Sequence, residues 1–208
     1  MNIKSDHKRT WDVLLIGGAS GTGKTSISYR LARHFGVGIT EVDDFQQLLT
    51  RMTTPEQQPA LHFWRTHPDP FSLTPEQMVE NLIAIGAAMQ PGLEAVIANH
   101  LESHAPIVLE GDFITPALAA LERYGDEVNN GRVKGIILIE PDELQLRQNY
   151  LLREPEAGEQ VKRARSSWLY NQWLAQEAAK VGVATVEARP WADVLERVIK
   201  AVTTQINY

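Results

Sequence analysis

The stretch that most constrains this chain is Gly17-Gly18-Ala19-Ser20-Gly21-Thr22-Gly23-Lys24-Thr25. It follows the apolar run Val13-Leu14-Leu15-Ile16 and precedes a segment, Ser26 to Phe35, in which Ile27, Leu31 and Phe35 recur at helical spacing. A short apolar run, a glycine-rich break and a helical period read as strand, turn and helix. Gly18, Gly23, Lys24 and Thr25 fit the phosphate-binding spacing G-x-x-x-x-G-K-[ST].

The chemistry dictates these residue types. A polyphosphate is wrapped by backbone amides that all point inward, which needs conformations and close approaches that glycine supplies. The positive end of the following helix then faces the anion. Gly18, Ala19, Ser20, Gly21, Thr22, Gly23, Lys24, Thr25 and Ser26 are therefore expected to hold a nucleotide. Lys24 reaches the outer phosphates, and the Thr25 hydroxyl is placed to ligate a magnesium ion held between them. The metal arrives with the nucleotide.

At 208 residues the chain is expected to form one domain, with an excursion at about 53–75 and a lid at about 153–165. The 43% apolar and 22% charged content is ordinary for a globular protein. A formal charge of −6 offers no broad attraction to nucleic acid or an anionic membrane, and neither is expected as a partner. There is no cysteine, so disulfides, thiolate metal sites and cysteine nucleophiles are excluded. Met1 to Thr10 is polar and basic, the apolar run after it is too short for a leader, and no stretch is expected to span a bilayer. The expected location is cytoplasmic, and the sequence sets no oligomeric state.

Further apolar runs at Ile39–Val42, Pro106–Leu109, Val133–Ile139 and Ala184–Val186 complete five strands, each separated from the next by helical patterns. That alternation predicts an α/β fold with a doubly covered parallel sheet. Thr74-Pro75-Glu76-Gln77 predicts a capped helix start, Pro91-Gly92 a break or kink, and Thr115 to Tyr124 a further helix. The proline-rich excursion is read as irregular, and carries His62, Phe63, Trp64, Arg65, His67 and Phe71.

Ligands of an open parallel sheet gather at the carboxyl ends of its strands. The second strand ends in Asp43-Asp44-Phe45 and the third in Glu110-Gly111-Asp112. Glu110 is the candidate second magnesium contact. Asp43 is the candidate base that orients and deprotonates an acceptor hydroxyl, with Asp44 the fallback. Asp44, His62, Arg65, His67 and Asp112 are candidates to bind the acceptor. Arg147, Arg153, Arg163 and Arg165 are candidates to neutralise a transferring group, Arg153 and Arg163 foremost, against an alternative in which the basic face of Lys162, Arg163 and Arg165 pairs with Glu154, Glu156 and Glu159. Arg189, ahead of Pro190-Trp191, is placed with the nucleotide-binding group.

With the phosphate loop, the Asp-Asp-Phe turn and the Glu-Gly-Asp-Phe strand end assembled, the chain resembles the P-loop small-molecule kinases of the nucleoside monophosphate kinase-like group. Gly92-Leu93-Glu94-Ala95-Val96-Ile97 followed by Ile107-Val108-Leu109-Glu110-Gly111 is most similar to the 2-phosphoglycerate kinase family. Val42-Asp43-Asp44-Phe45 is also similar to the turn of nicotinamide riboside and uridine kinases. The resemblance implies a three-layer P-loop fold with a five-stranded parallel sheet in the order 2-3-1-4-5 and a helical lid. It also implies ATP and Mg2+ as cofactors and phosphoryl transfer to a small acceptor, either 2-phosphoglycerate-like or another anion. Asp112-Phe113 stand where 2-phosphoglycerate kinases have valine and histidine, so the acceptor stays open. A nucleoside or nucleotide kinase is an alternative, and a nucleotide-binding switch or toxin-like module acting on a partner is another. No N-K-x-D sequence points to guanine.

Overall fold

Strand β1, Val13–Gly17, is buried along its whole length and carries the phosphate loop at its carboxyl end. Residues 9–67, 69 and 72–204 are described in the computed structural model. The segment before Arg9 lies outside them, as do Pro68, Pro70 and Phe71 of the excursion.

β1 pairs in parallel with β3, Ile107–Gly111, on one side and β6, Val133–Ile139, on the other. β2, Gly38–Glu41, and β7, Ala184–Glu187, close the edges, giving the order β2-β3-β1-β6-β7. This is the expected connectivity, with the numbering shifted by a two-stranded hairpin. The three inner strands are buried on both faces, and so their sequences are continuously apolar rather than alternating.

Successive residues of β1 serve opposite cores. Val13 and Leu15 pack with Ile85, Met89, Leu93 and Ile97 of α4, Pro75–Glu102. Leu14 and Ile16 pack with Ile27 and Leu31 of α1, Lys24–Phe35, and with Val194 and Val198 of α8, Val194–Thr204. A third cluster seats Tyr170 and Leu174 of α7, Val161–Val181, against Ile137 and Ile139 of β6. Each fully buried aliphatic side chain contributes about 1.5–3 kcal/mol. The sheet is thereby fixed between two helical layers, with its carboxyl edge open.

Four local expectations change. Helix α4 begins at the Thr74 cap, where Gln77 N–H donates to Thr74 Oγ1 at 3.2 Å and Thr74 N–H to Gln77 Oε1 at 2.8 Å. It then runs through Pro91 for 28 residues without breaking. Pro91 and Ala87 are exposed, so the carbonyl that loses its partner faces water. Unbroken, α4 has the length and apolar content to cross a membrane, contrary to the expectation that no stretch does. In this fold its stripe from Ile85 to Leu101 is instead buried in the core around β1 and β3.

The helix expected from Thr115 to Tyr124 is only α5, Pro116–Ala119, followed by the hairpin β4, Arg123–Tyr124, and β5, Glu127–Val128. Gly125, at φ 55°, turns the hairpin, and the fully buried Tyr124 satisfies its hydroxyl by donating to Leu118 O at 2.7 Å. The excursion holds a helix as well, α3, Pro59–Thr66, which buries Leu61 and His62. Its period is too short to stand out among the prolines.

Candidate active site

The phosphate loop is held from behind by two helices distant in sequence. On α6, Glu143–Arg153, the Tyr150 hydroxyl donates to Ser20 O at 3.0 Å and Asn149 Nδ2 donates to Gly21 O at 2.9 Å. On α7, Asn171 Oδ1 accepts from the Ala19 amide at 3.4 Å, while its Nδ2 donates to Glu140 O at 3.2 Å. The N–H of a trans peptide points away from its C=O, so tying the Ser20 carbonyl to α6 turns the Gly21 amide toward the cleft. Gly23 has φ 90°, and a Cβ there would stand 2.5 Å from the Trp191 ring. Glycine serves here both for conformation and for space.

Lys24 lies at the centre, 6% exposed. Its Nζ donates to Ala19 O at 3.3 Å and is paired with Asp112 Oδ1 at 2.5 Å. Burial opposes its charge, but Asp112, Glu110 and Asp43 outweigh burial and leave its pKa raised. The lysine is therefore cationic at neutral pH and held by a carboxylate.

The two strand ends deliver the expected acids. Glu110, the penultimate residue of β3, is 2% exposed and hydrogen-bonded to Thr25. Burial raises its pKa, opposed by Lys24 and the Thr25 bond. Asp43 and Asp44 lie in the first turn of α2, Val42–Met52, immediately after β2. Asp43 opens onto the cleft, and the desolvating walls together with Asp112 raise its pKa against the opposing pull of Lys24. A carboxylate within reach of solvent, yet biased toward its protonated form, is suited to accept a proton.

These groups line one cleft of about 670 Å³, which takes in Ser20 to Ser26, Asp43, Glu110, Gly111 and Asp112. Its far wall is formed by Asn149, Leu152, Arg153, Arg189 and Trp191. Leu152 is 82% exposed. With Trp191 it gives this wall its apolar lining. Arg189 donates to Glu140 Oε2 at 3.3 Å and to Asn149 Oδ1 at 3.2 Å, so one arginine joins this wall to the side chain that holds Gly21.

Among the described residues no group of three or more His, Asp or Glu could hold a metal by itself. The donors that are present, the Thr25 hydroxyl beside the Glu110 carboxylate, are hard oxygen ligands of the kind that would suit magnesium.

The arginines expected to neutralise a transferring group are only partly gathered here. Arg153 lines the cleft, paired with Glu154 at 2.8 Å. Arg163 is not in the lining: it pairs with Glu154 at 2.9 Å and lies 4.4 Å over the Tyr150 ring. Arg147 and Arg165 both pair with Glu143, at 2.6 and 3.0 Å. For Arg163 the acid-pairing alternative, through Glu154, describes the observed state.

The excursion residues are placed elsewhere. His62 is buried, with its Nε2 3.2 Å from Thr53 Oγ1, and it lines a separate cavity of about 450 Å³ with Arg65. The His67 ring is stacked on Phe63 at 3.7 Å. None of the three borders the phosphate cleft. Asp44 is an exposed neighbour of Asp43 and does not line the cleft, whereas Asp112 does. Asn149, Tyr150, Asn171, Glu140 and Trp191 escaped sequence reasoning, because an asparagine or tyrosine in a helical period carries no mark of the distant loop it serves.

No family profile matches the chain. It is 26% identical to the 2-phosphoglycerate kinase of Methanothermobacter thermautotrophicus over 92% of this chain, and 21% identical to that of Methanocaldococcus jannaschii over 94%. The chain spans 65% and 64% of those relatives' lengths. Among solved structures it is similar to a gluconokinase from Sinorhizobium meliloti, with TM-score 0.53 and 20% identity over 94% of both chains. It is also similar to the shikimate kinase of Acinetobacter baumannii, with TM-score 0.54 and 16% identity over 98% of this chain and 99% of that one. The chain thus has the fold of the P-loop kinases, and the likeness to 2-phosphoglycerate kinases first read from its motifs extends along most of its length.

Proposed function

We propose that this chain transfers the γ-phosphoryl group of ATP to a hydroxyl of a small metabolite. The observation that carries the reading is the convergence on one cleft of a braced phosphate loop, a cationic Lys24 and carboxylates from two neighbouring strand ends. The named kinases among the relatives support it. Such transfers are catalysed mainly by positioning and by neutralising charge on the moving group.

Residues 18–26 hold the phosphates, and Lys24 exchanges Asp112 for the outer phosphate oxygens. The base rests in the wall formed by Trp191, Leu152 and Arg189. Thr25 and Glu110 would hold magnesium, which would neutralise charge on the phosphates. The acceptor oxygen forms its bond to the γ-phosphorus as the bond from that phosphorus to the bridging oxygen breaks, and ADP leaves with that electron pair. Asp43 orients the acceptor hydroxyl and takes its proton. Arg153 leaves Glu154 for the transferring group, with Arg163 the second candidate for that role. His62, Arg65 and His67 contribute to acceptor binding only if the excursion closes toward the cleft, and Asp44 only if the first turn of α2 shifts, whereas Asp112 already lines it.

The deciding experiment follows ADP formation with Mg·ATP across a metabolite panel that includes 2-phosphoglycerate, sugar acids, polyols and nucleosides. One acceptor should raise turnover steeply, with Lys24→Ala abolishing the increase. Acceleration confined to nucleosides would assign a nucleoside kinase. Slow hydrolysis that no metabolite accelerates would favour the switch or toxin-like reading.

A further inference from the structure

Two arginines without an ion pair converge on one cavity. The arginines of α6 and α7, and Arg189 after β7, are each held by a glutamate. Arg51, in the last turn of α2, and Arg65, in the last turn of α3, have no carboxylate partner among the described residues. Both line the cavity of about 450 Å³ beside α2 and α3, a volume suited to a small metabolite. No carboxylate is among the described residues that line it. Glu56, exposed and close enough to feel His62, is bonded by the Thr54 side chain.

Buried His62 is a fixed part of the cavity wall. The Thr53 hydroxyl donates to Leu49 O at 2.7 Å, so its 3.2 Å contact with His62 is made by Nε2–H donating to Thr53 Oγ1. The Thr50 and Thr66 hydroxyls donate to Leu61 O and His62 O at 3.4 and 3.1 Å. With these protons turned to carbonyls, charge recognition in the cavity falls to the two guanidiniums. A guanidinium pairs bidentately with phosphate or carboxylate oxygens, and two of them match a dianion better than a monoanion.

The cavity and the phosphate cleft share no lining residue. Asp43 lies in the first turn of α2 and Arg51 in its last, a rise of about 12 Å between them. Between these positions Phe45 and Leu49 pack with Leu61 and Trp64 into the apolar cluster on β1 and β3, so the two ends of α2 face different sites. We infer that the cavity beside α2 and α3 is a second anion site. It takes the dianionic phosphate group of a small metabolite other than the nucleotide and the acceptor, with Arg51 and Arg65 as its cationic contacts. Occupancy of this cavity does not require the cleft to transfer phosphoryl groups.

The test is calorimetric titration of inorganic phosphate, at fixed ionic strength, into the intact protein, Arg51→Gln and Arg65→Gln. The phosphate loop is the same in all three, so their difference reads the cavity. The intact protein should take up phosphate at millimolar concentration, and each variant should hold one phosphate per chain at least about tenfold more weakly, the loss of a charge-assisted contact. Acetate, a monoanion, should bind this site more weakly than phosphate. Identical phosphate binding in the three proteins overturns the site, and acetate binding as tight as phosphate overturns its dianion preference. A second arm measures kcat/KM of Arg51→Gln on the best acceptor of the metabolite panel, which should stay within a few-fold of the intact protein. A rise of about tenfold or more in acceptor KM would make the cavity part of the acceptor site and overturn its separateness. Should no metabolite accept a phosphoryl group, the kinase reading fails while the phosphate titration still decides the site.

Discussion

In the phosphate loop, the carbonyls of Ser20 and Gly21 are tied to Tyr150 and Asn149, 130 and 128 residues away in sequence. In the segment proposed as a lid, Arg153 and Arg163 are tied to Glu154, their near neighbour, and both side chains are more than 40% exposed. The loop is thus braced by groups that the whole fold must bring together. The lid's pairs are local, solvated and replaceable, since exposed ion pairs contribute about 0–1 kcal/mol each. The proposed transfer would need this division: one part preorganised, the other able to exchange partners.

Substitutions can break the contrast, and the largest effect is expected within the cradle. Lys24→Ala should lower kcat by about 100- to 1000-fold or more, as loss of a preorganised charge does at a developing anion. A steady-state assay on the best acceptor checks it.

Asp43→Asn should cost about 100- to 10,000-fold in transfer, the usual worth of a positioned base, while Mg·ATP affinity measured by calorimetry stays within a few-fold. The pH profile of the intact protein carries the same assignment. Asp43 must be deprotonated to accept a proton, and its pKa lies above the ordinary 3.8. Activity should therefore be full at higher pH and fall as pH drops through that raised value, with Asp43→Asn removing the limb.

Tyr150→Phe sharpens the comparison, because it deletes only the hydroxyl that braces Ser20 and meets Ser167. A loss of about 0.5–1.5 kcal/mol of stability is expected in urea denaturation, together with several-fold weaker nucleotide binding. The smallest effect belongs to Arg163→Ala, which removes an exposed pair and should change stability by no more than about 1 kcal/mol. A large loss of nucleotide affinity in Arg163→Ala, or none in Tyr150→Phe, would reverse the proposed contrast.

The same division explains what could be read from the sequence. Gly18, Gly23, Lys24 and Thr25 are legible because phosphate binding fixes residue type and spacing over a few positions. The inner strands are legible because burial on both faces leaves unbroken apolar runs such as Val133–Ile139. Asp43 and Glu110 follow from the rule that ligands collect at the carboxyl ends of strands. Tyr150, Asn149 and Asn171 stayed hidden because their role exists only once α6 and α7 dock behind the loop. His62 and Arg65 looked like acceptor ligands by composition, but α3 turns His62 into a buried partner of Thr53 and gives Arg65 a cavity of its own. The break expected at Pro91 was absent because a proline on the exposed side of a helix costs a hydrogen bond that water replaces.

The account rests on residues 17–25 forming an anion cradle centred on Lys24, and calorimetric titration of Mg·ATP into the intact protein and into Lys24→Ala measures that directly. It predicts saturable binding at or below millimolar concentration for the intact protein, weakened at least about tenfold by the substitution, which is the loss of one charge-assisted hydrogen bond. No heat of binding at millimolar Mg·ATP, or equal affinity in the two proteins, would contradict it.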